Sequence, residues 1–233
     1  ISFTEALQHF QSAELSESRG KVQVPGRRGI LAALLRCLCL APRLRPQLWR
    51  EQELALAMAQ CALDDSEWVH MRILQTIYQQ LTRSRLGCPR YGAHWEELGF
   101  QGRRGTNPLP GEKPRPIPKI HSNLPWSDSV LFHNAAILVV FQNFPFCIMS
   151  VNITRIVIQA LQEERLCREC NRRQQVIGVL NDLYAAAFLR LSRLWKRQHG
   201  TIADADFFLK ELELSAKKKP RQLLKSLEAY LSR

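Results

Sequence analysis

QQVIGVLNDLYAAAFLRLSRLWKRQH, running from Gln174 to His199, decides the fold class. Val176, Leu180, Leu183, Tyr184, Ala187, Leu191 and Leu194 recur at steps of three and four, which gathers them onto one stripe of an α-helix. No proline interrupts the run, and Gly200 follows as the residue expected to close it. Beyond it, Thr201 to Asp204 starts a helix carrying Phe207, Phe208 and Leu212. Lys217 to Lys219 complement the negative end of that helix, and Pro220 suits the first turn of a last one, lined by Leu223, Leu224, Leu227, Tyr230 and Leu231. The KKKPR at this junction reads as a solvated helix boundary ahead of a nuclear-import patch.

The same period extends toward the N-terminus. Ile153, Ile156, Val157, Ala160 and Leu161 share a helical face, with Asn152 expected as its cap and Asn171 as its end. Ser127 to Gln142 reads as a helix through Val130, Leu131, Ile137, Leu138 and Phe141. Val69, Ile73 and Ile77, beside Leu74, Tyr78 and Leu81, form two adjacent rows of another, for which Asp64, Asp65 and Ser66 offer caps. Gln47 to Leu63 and Ile30 to Leu40 read as apolar helices, and Ser2 with Glu5 as a capping box opening the first. Nothing alternates with period two for long. The expected architecture is therefore all-α: a single helical domain of about eight helices, with a long Pro-rich loop in the middle. Residues 1–46 read as an N-terminal helical region and 47–233 as the main helical domain, interrupted by the loop at 103–126. Pro108, Pro110, Pro114, Pro116, Pro118 and Pro125 fit no regular element, and loops of that length usually carry function or are disordered.

Bulk properties bound the function. Of 233 residues, 45% are apolar and five are tryptophan, enough to build a core. The longest apolar run near the start, Ile30 to Leu40, is interrupted by Arg36 and falls short of the ~20 residues a bilayer needs. The net charge of +12 invites anionic partners. Its bases are dispersed in pairs such as Arg27 and Arg28, Arg103 and Arg104, and Arg172 and Arg173, with no interleaved aromatics. That argues against nucleic acid and for a membrane surface or an acidic protein. Seven cysteines, mostly inside apolar patterns, suit a reducing, cytoplasmic compartment. Cys167 and Cys170 form a C-x-x-C with no second pair, and His70, beside an apolar stripe, reads as a surface or capped histidine. No nucleophile elbow, zinc-protease motif or phosphate loop appears, and no cofactor or metal is implied.

HWEELGFQG, His94 to Gly102, ends one kind of sequence and begins another. Trp95, Leu98 and Phe100 are large and apolar, while Gly99 and Gly102 stop a helix from running through them. A rigid, partly buried loop results, whose aromatics plug one end of a core.

Together with FPFCIMSVNIT at Phe144 to Thr154, this stretch resembles the ELMO domain family. The resemblance covers Ile1 to about Gly102 and Phe144 to Arg233, and it implies an all-helical fold. Family members similar to this chain are GTPase-activating proteins for Arf and Arf-like small GTPases; others assist Dock-type exchange factors, and cytoskeletal partners and a cytoskeleton-associated location are implied as well. The resemblance assigns partner binding to Trp95, Gly99, Phe100, Gln101 and Gly102. The activating pattern continues as T-D-[FL]-R-G-x-G-x-L, whose arginine supplies positive charge beside the γ-phosphate, an effect worth about a thousandfold or more. Here that continuation departs. Read without a gap, the arginine position falls on Pro110; after a three-residue insertion it falls on Lys113, with Arg115 two further on. Arg103 and Arg104 are the other nearby bases, so no charge-supplying residue is assigned.

Overall fold

The Ser2 hydroxyl accepts the Glu5 N–H at 3.2 Å and the Glu5 carboxylate accepts the Ser2 N–H at 2.8 Å, so the first helix starts on the expected reciprocal cap. The computed structural model describes residues 1–13, 42–61, 64, 66–89, 94–97 and 146–232. In chain order its helices are α1 (Phe3–Ser12), α2 (Trp49–Gln60), α3 (Trp68–Thr82), α4 (His94–Glu97), α5 (Phe146–Gln162), α6 (Cys167–Arg173), α7 (Ile177–Arg197), α8 (Ala205–Lys218) and α9 (Pro220–Leu231). Single 3-10 turns, Pro46–Leu48 and Ile202–Asp204, lead into α2 and α8. Among the described residues every regular element is helical, and the all-α expectation holds. The helices expected at Ile30 to Leu40 and Ser127 to Gln142, and the Pro-rich loop at 103–126, lie outside the described residues.

Helix α7 is the hub, packed against α2, α5, α6, α8 and α9. The sequence pattern suggested a one-sided stripe. Instead every residue from Leu183 to Leu189 is buried, as expected of a helix enclosed on all sides. Small side chains at Ala185, Ala186 and Ala187 and large ones at Leu183, Phe188 and Leu191 are all buried there. Full burial of each large apolar side chain contributes about 1.5–3 kcal/mol before entropy is counted. Against α7, α5 sets Met149, Ile153 and Ile156, and α1 rests on α2 and α3 through Ala6 and Phe10.

The helix ends correct several local readings. Asn152 does not cap α5, which begins at Phe146; it sits inside the helix and donates to the Ile148 carbonyl at 2.9 Å. Asn171 does not close α5 either, since it belongs to α6. Its side chain accepts the Arg45 N–H at 2.9 Å and donates to the Arg43 carbonyl at 2.6 Å, fastening the segment before α2 onto α6. At α3 the N-cap is Glu67, without a side-chain bond, and Asp64 accepts from the backbone and hydroxyl of Ser66, shaping the preceding turn. Val176 gives α7 no cap of its own. Glu51 on α2 accepts the Ile177 N–H at 2.8 Å in its place.

Gly200 illustrates how a correct residue can serve for another reason. The left-handed position that ends α7 belongs to His199, with φ of 50°, and the Gly200 N–H then reaches back to the Trp195 carbonyl at 2.9 Å. Glycine is required by space. A β-carbon there would stand 2.6 Å from Cε2 of Phe208 and 3.0 Å from the Trp195 ring. Thr201 and Asp204 then form the capping box that carries the chain into α8.

Candidate partner-binding site

Helix α3 stops at Arg83, whose φ of 56° turns the chain out of the helix. The chain then returns so that α4 lies against the end of α3. The first four residues of HWEELGFQG therefore form one helical turn, where a loop was expected. Trp95 is 2% exposed. Its indole lies edge-on to Tyr78, with centroids 5.6 Å apart, and its Nε1–H donates to the Pro89 carbonyl at 3.1 Å. His94 Nε2 donates to the same carbonyl at 3.0 Å and also meets Tyr78 edge-on. One acceptor thus holds two consecutive side chains. The indole satisfies the usual condition for burying tryptophan, a partner for its N–H.

Of the five residues to which the resemblance assigns partner binding, the structure describes Trp95 alone; Gly99, Phe100, Gln101 and Gly102 lie outside the described residues, as do Arg103, Arg104, Lys113 and Arg115. Trp95 faces inward and is held through both its ring and its N–H. The second stretch of the resemblance begins α5. There Met149, Ser150 and Ile153 are buried, while Val151 is exposed.

Other candidates take definite places. His70 is buried at 3% exposure, which overturns the surface half of its expected role. Its Nδ1 accepts the Asp64 N–H at 2.9 Å and its ring stacks on Phe10. Burial holds its pKa below the ordinary histidine range, with His9 nearby adding to the effect. Cys167 and Cys170 are both buried on α6, and burial pushes the Cys170 thiol up to about 12, far from the thiolate that redox or metal work needs.

Sequence reading missed one constellation. Arg190, Arg193 and Arg197 line a groove of about 260 Å³ between α7, α8 and α9. The signal was present in LRLSRLWKR, where arginines at i, i+3 and i+7 interleave with the apolar stripe and must share a face.

The ELMO/CED-12 family model matches residues 53–108 and 122–209, more than half of the chain. The chain belongs to the ELMO/CED-12 family. It is 49% identical over 235 residues to ELMO domain-containing protein 3 of Bos taurus, 48% over 239 residues to that of Homo sapiens and 49% over 237 residues to that of Mus musculus. Each alignment covers 100% of this chain, which spans 62% of the length of these relatives. No solved structure matches it. The ELMO/CED-12 match is split at residues 109–121, inside the Pro-rich stretch. Among the described residues no helix is long and apolar enough to cross a membrane.

Proposed function

We propose that this chain is a cytoplasmic regulator of Arf and Arf-like small GTPases that binds the GTPase through the residues following Trp95 and accelerates GTP hydrolysis. The observation that carries this reading is the anchoring of Trp95, buried against Tyr78 and bonded to Pro89, at the start of the WEELGFQG motif. A catalytic contact must be held to within a fraction of an ångström, and a buried indole with a satisfied N–H is a rigid base for it. Gly99 to Gly102 then shape the contact. A base among Arg103, Arg104, Lys113 and Arg115 offsets the charge that develops on the transferring phosphoryl group; a guanidinium suits this better than an ammonium because its fork is fixed.

A second reading is a noncatalytic module that binds a small GTPase, a Dock-type exchange factor or a cytoskeletal partner. It is favoured by the departure from T-D-[FL]-R-G and by the break in the family match at residues 109–121. Single-turnover hydrolysis by a panel of Arf-like GTPases separates the two. Faster hydrolysis supports activation; binding without acceleration supports the module. Replacing Arg103 to Trp126 with the family's T-D-L-R-G segment would then restore activity if that segment alone is at fault.

A further inference from the structure

The groove beside α7 has the composition of an anion site. Its floor is apolar, from Ala186, Leu189, Leu194 and Leu223, and its charges are Arg190, Arg193 and Arg197 against Glu211. Glu211 on α8 pairs with Arg190 at 2.6 Å. The Arg193 guanidinium lies over the Tyr230 ring, 5.3 Å from its centroid, which fixes its stem and leaves its N–H groups available. Arg197 has no ion-pair partner among the described residues. Three cations against one carboxylate leave two positive charges in excess at a low-dielectric floor.

Arg190 is already held by Glu211, so Arg193 and Arg197 are the guanidinium groups left to meet an anion in the groove. A volume of about 260 Å³ suits a small headgroup better than a nucleotide, since pockets for drug-sized ligands run to roughly 300–1,000 Å³. A phosphomonoester carries about −1.5 to −2 at neutral pH and presents oxygens that two guanidinium forks can share. Its charge offsets the groove's excess.

We propose that this groove binds a phosphomonoester, borne by a glycerolipid headgroup or by a free small molecule. Phe207 and Leu214, both exposed, stand four residues before and three after Glu211, on the same face of α8, so the groove is shouldered by apolar side chains that a lipid surface would cover. None of the residues lining the groove is among those proposed to contact the GTPase, and its test uses no nucleotide.

The full chain is titrated with glycerol phosphate by calorimetry and sedimented with phosphatidylcholine vesicles containing either phosphatidic acid or phosphatidylserine. Saturable binding of glycerol phosphate identifies a site for the free group. Preference for phosphatidic acid over phosphatidylserine vesicles without binding of glycerol phosphate identifies a lipid-borne one. Either result supports the proposal. Arg193→Gln with Arg197→Gln, both exposed side chains, should weaken binding about tenfold or more at unchanged helical content. Glu211→Gln removes the competing carboxylate and should tighten it. Equal binding to both anionic vesicles with none to glycerol phosphate, no binding to any of the three, or variants indistinguishable from wild type would overturn it.

Discussion

The bundle around α7 and the turn that carries Trp95 are held by different means. Helix α7 is enclosed by five other helices and buried on every side over two turns. The α4 turn rests on one indole, one imidazole, one tyrosine ring and a shared carbonyl. The first arrangement spreads its free energy over many contacts, none of which points at a partner. The second concentrates orientation in a few groups, so small changes there alter geometry before they alter stability. A site that must present a loop to another protein is better served by the second, provided the first supplies the rigidity behind it.

Substitutions can break this contrast or sharpen it. The largest effect is expected in the bundle: Leu183→Ala, at a fully buried position, should cost about 2–5 kcal/mol through lost transfer free energy and a cavity. Urea unfolding measures it, and a loss under 1 kcal/mol, as a rough bound, would show that α7 repacks freely. Also in the bundle, Glu51→Ala removes the cap that α2 supplies to α7 and should cost about 1 kcal/mol. Glu51→Gln keeps an acceptor and should cost less. If the two variants unfold alike, Glu51 acts through its charge.

In the turn, Trp95→Phe keeps a buried six-membered ring and deletes the fused pyrrole with its N–H, while Pro89 retains the bond from His94. Global stability should fall by about 1–2 kcal/mol, from the lost hydrogen bond and the small void left by the pyrrole. The signal to look for is faster hydrogen exchange at residues 94–97 with the α7 amides unchanged. Uniform acceleration across both regions would erase the distinction between them.

The smallest effect is pH-dependent. His70 has a folded pKa below the unfolded value of about 6.5, so the unfolded state binds the proton more readily. Its contribution to stability is therefore complete above about pH 6.5 and lost as the pH falls through the folded pKa. Urea midpoints for wild type and His70→Gln should diverge above that pH and converge below it; parallel profiles would place the pH dependence elsewhere.

What the sequence disclosed follows the range of the forces involved. Helical period is local, and it located α3, α7, α8 and α9 to within a few residues, whereas α5, at Phe146–Gln162, begins before the expected cap Asn152 and ends before the expected Asn171. Burial around α7 was underestimated because alanine counts little in an apolar stripe, yet three in a row are buried there. Asn152 and Asn171 misled because an asparagine favours a cap only while no better partner exists; Asn171 found the backbone of Arg43 and Arg45 more than 120 residues away. The Glu51 cap on α7 is equally remote. At the site, sequence identified Trp95 as a core plug, but its dependence on Tyr78 and Pro89 required the return of the chain onto α3. The arginine row of α7 could be read from its spacing, whereas a groove exists only once α8 and α9 supply the opposite wall.

The role given to Trp95 is tested most directly by single-turnover GTP hydrolysis on an Arf-like GTPase, comparing wild type, Trp95→Phe and the Arg193→Gln, Arg197→Gln double variant. Wild type should accelerate hydrolysis, Trp95→Phe should do so less while remaining folded, and the groove variant should match wild type. No acceleration by wild type, or equal acceleration by Trp95→Phe, would contradict it.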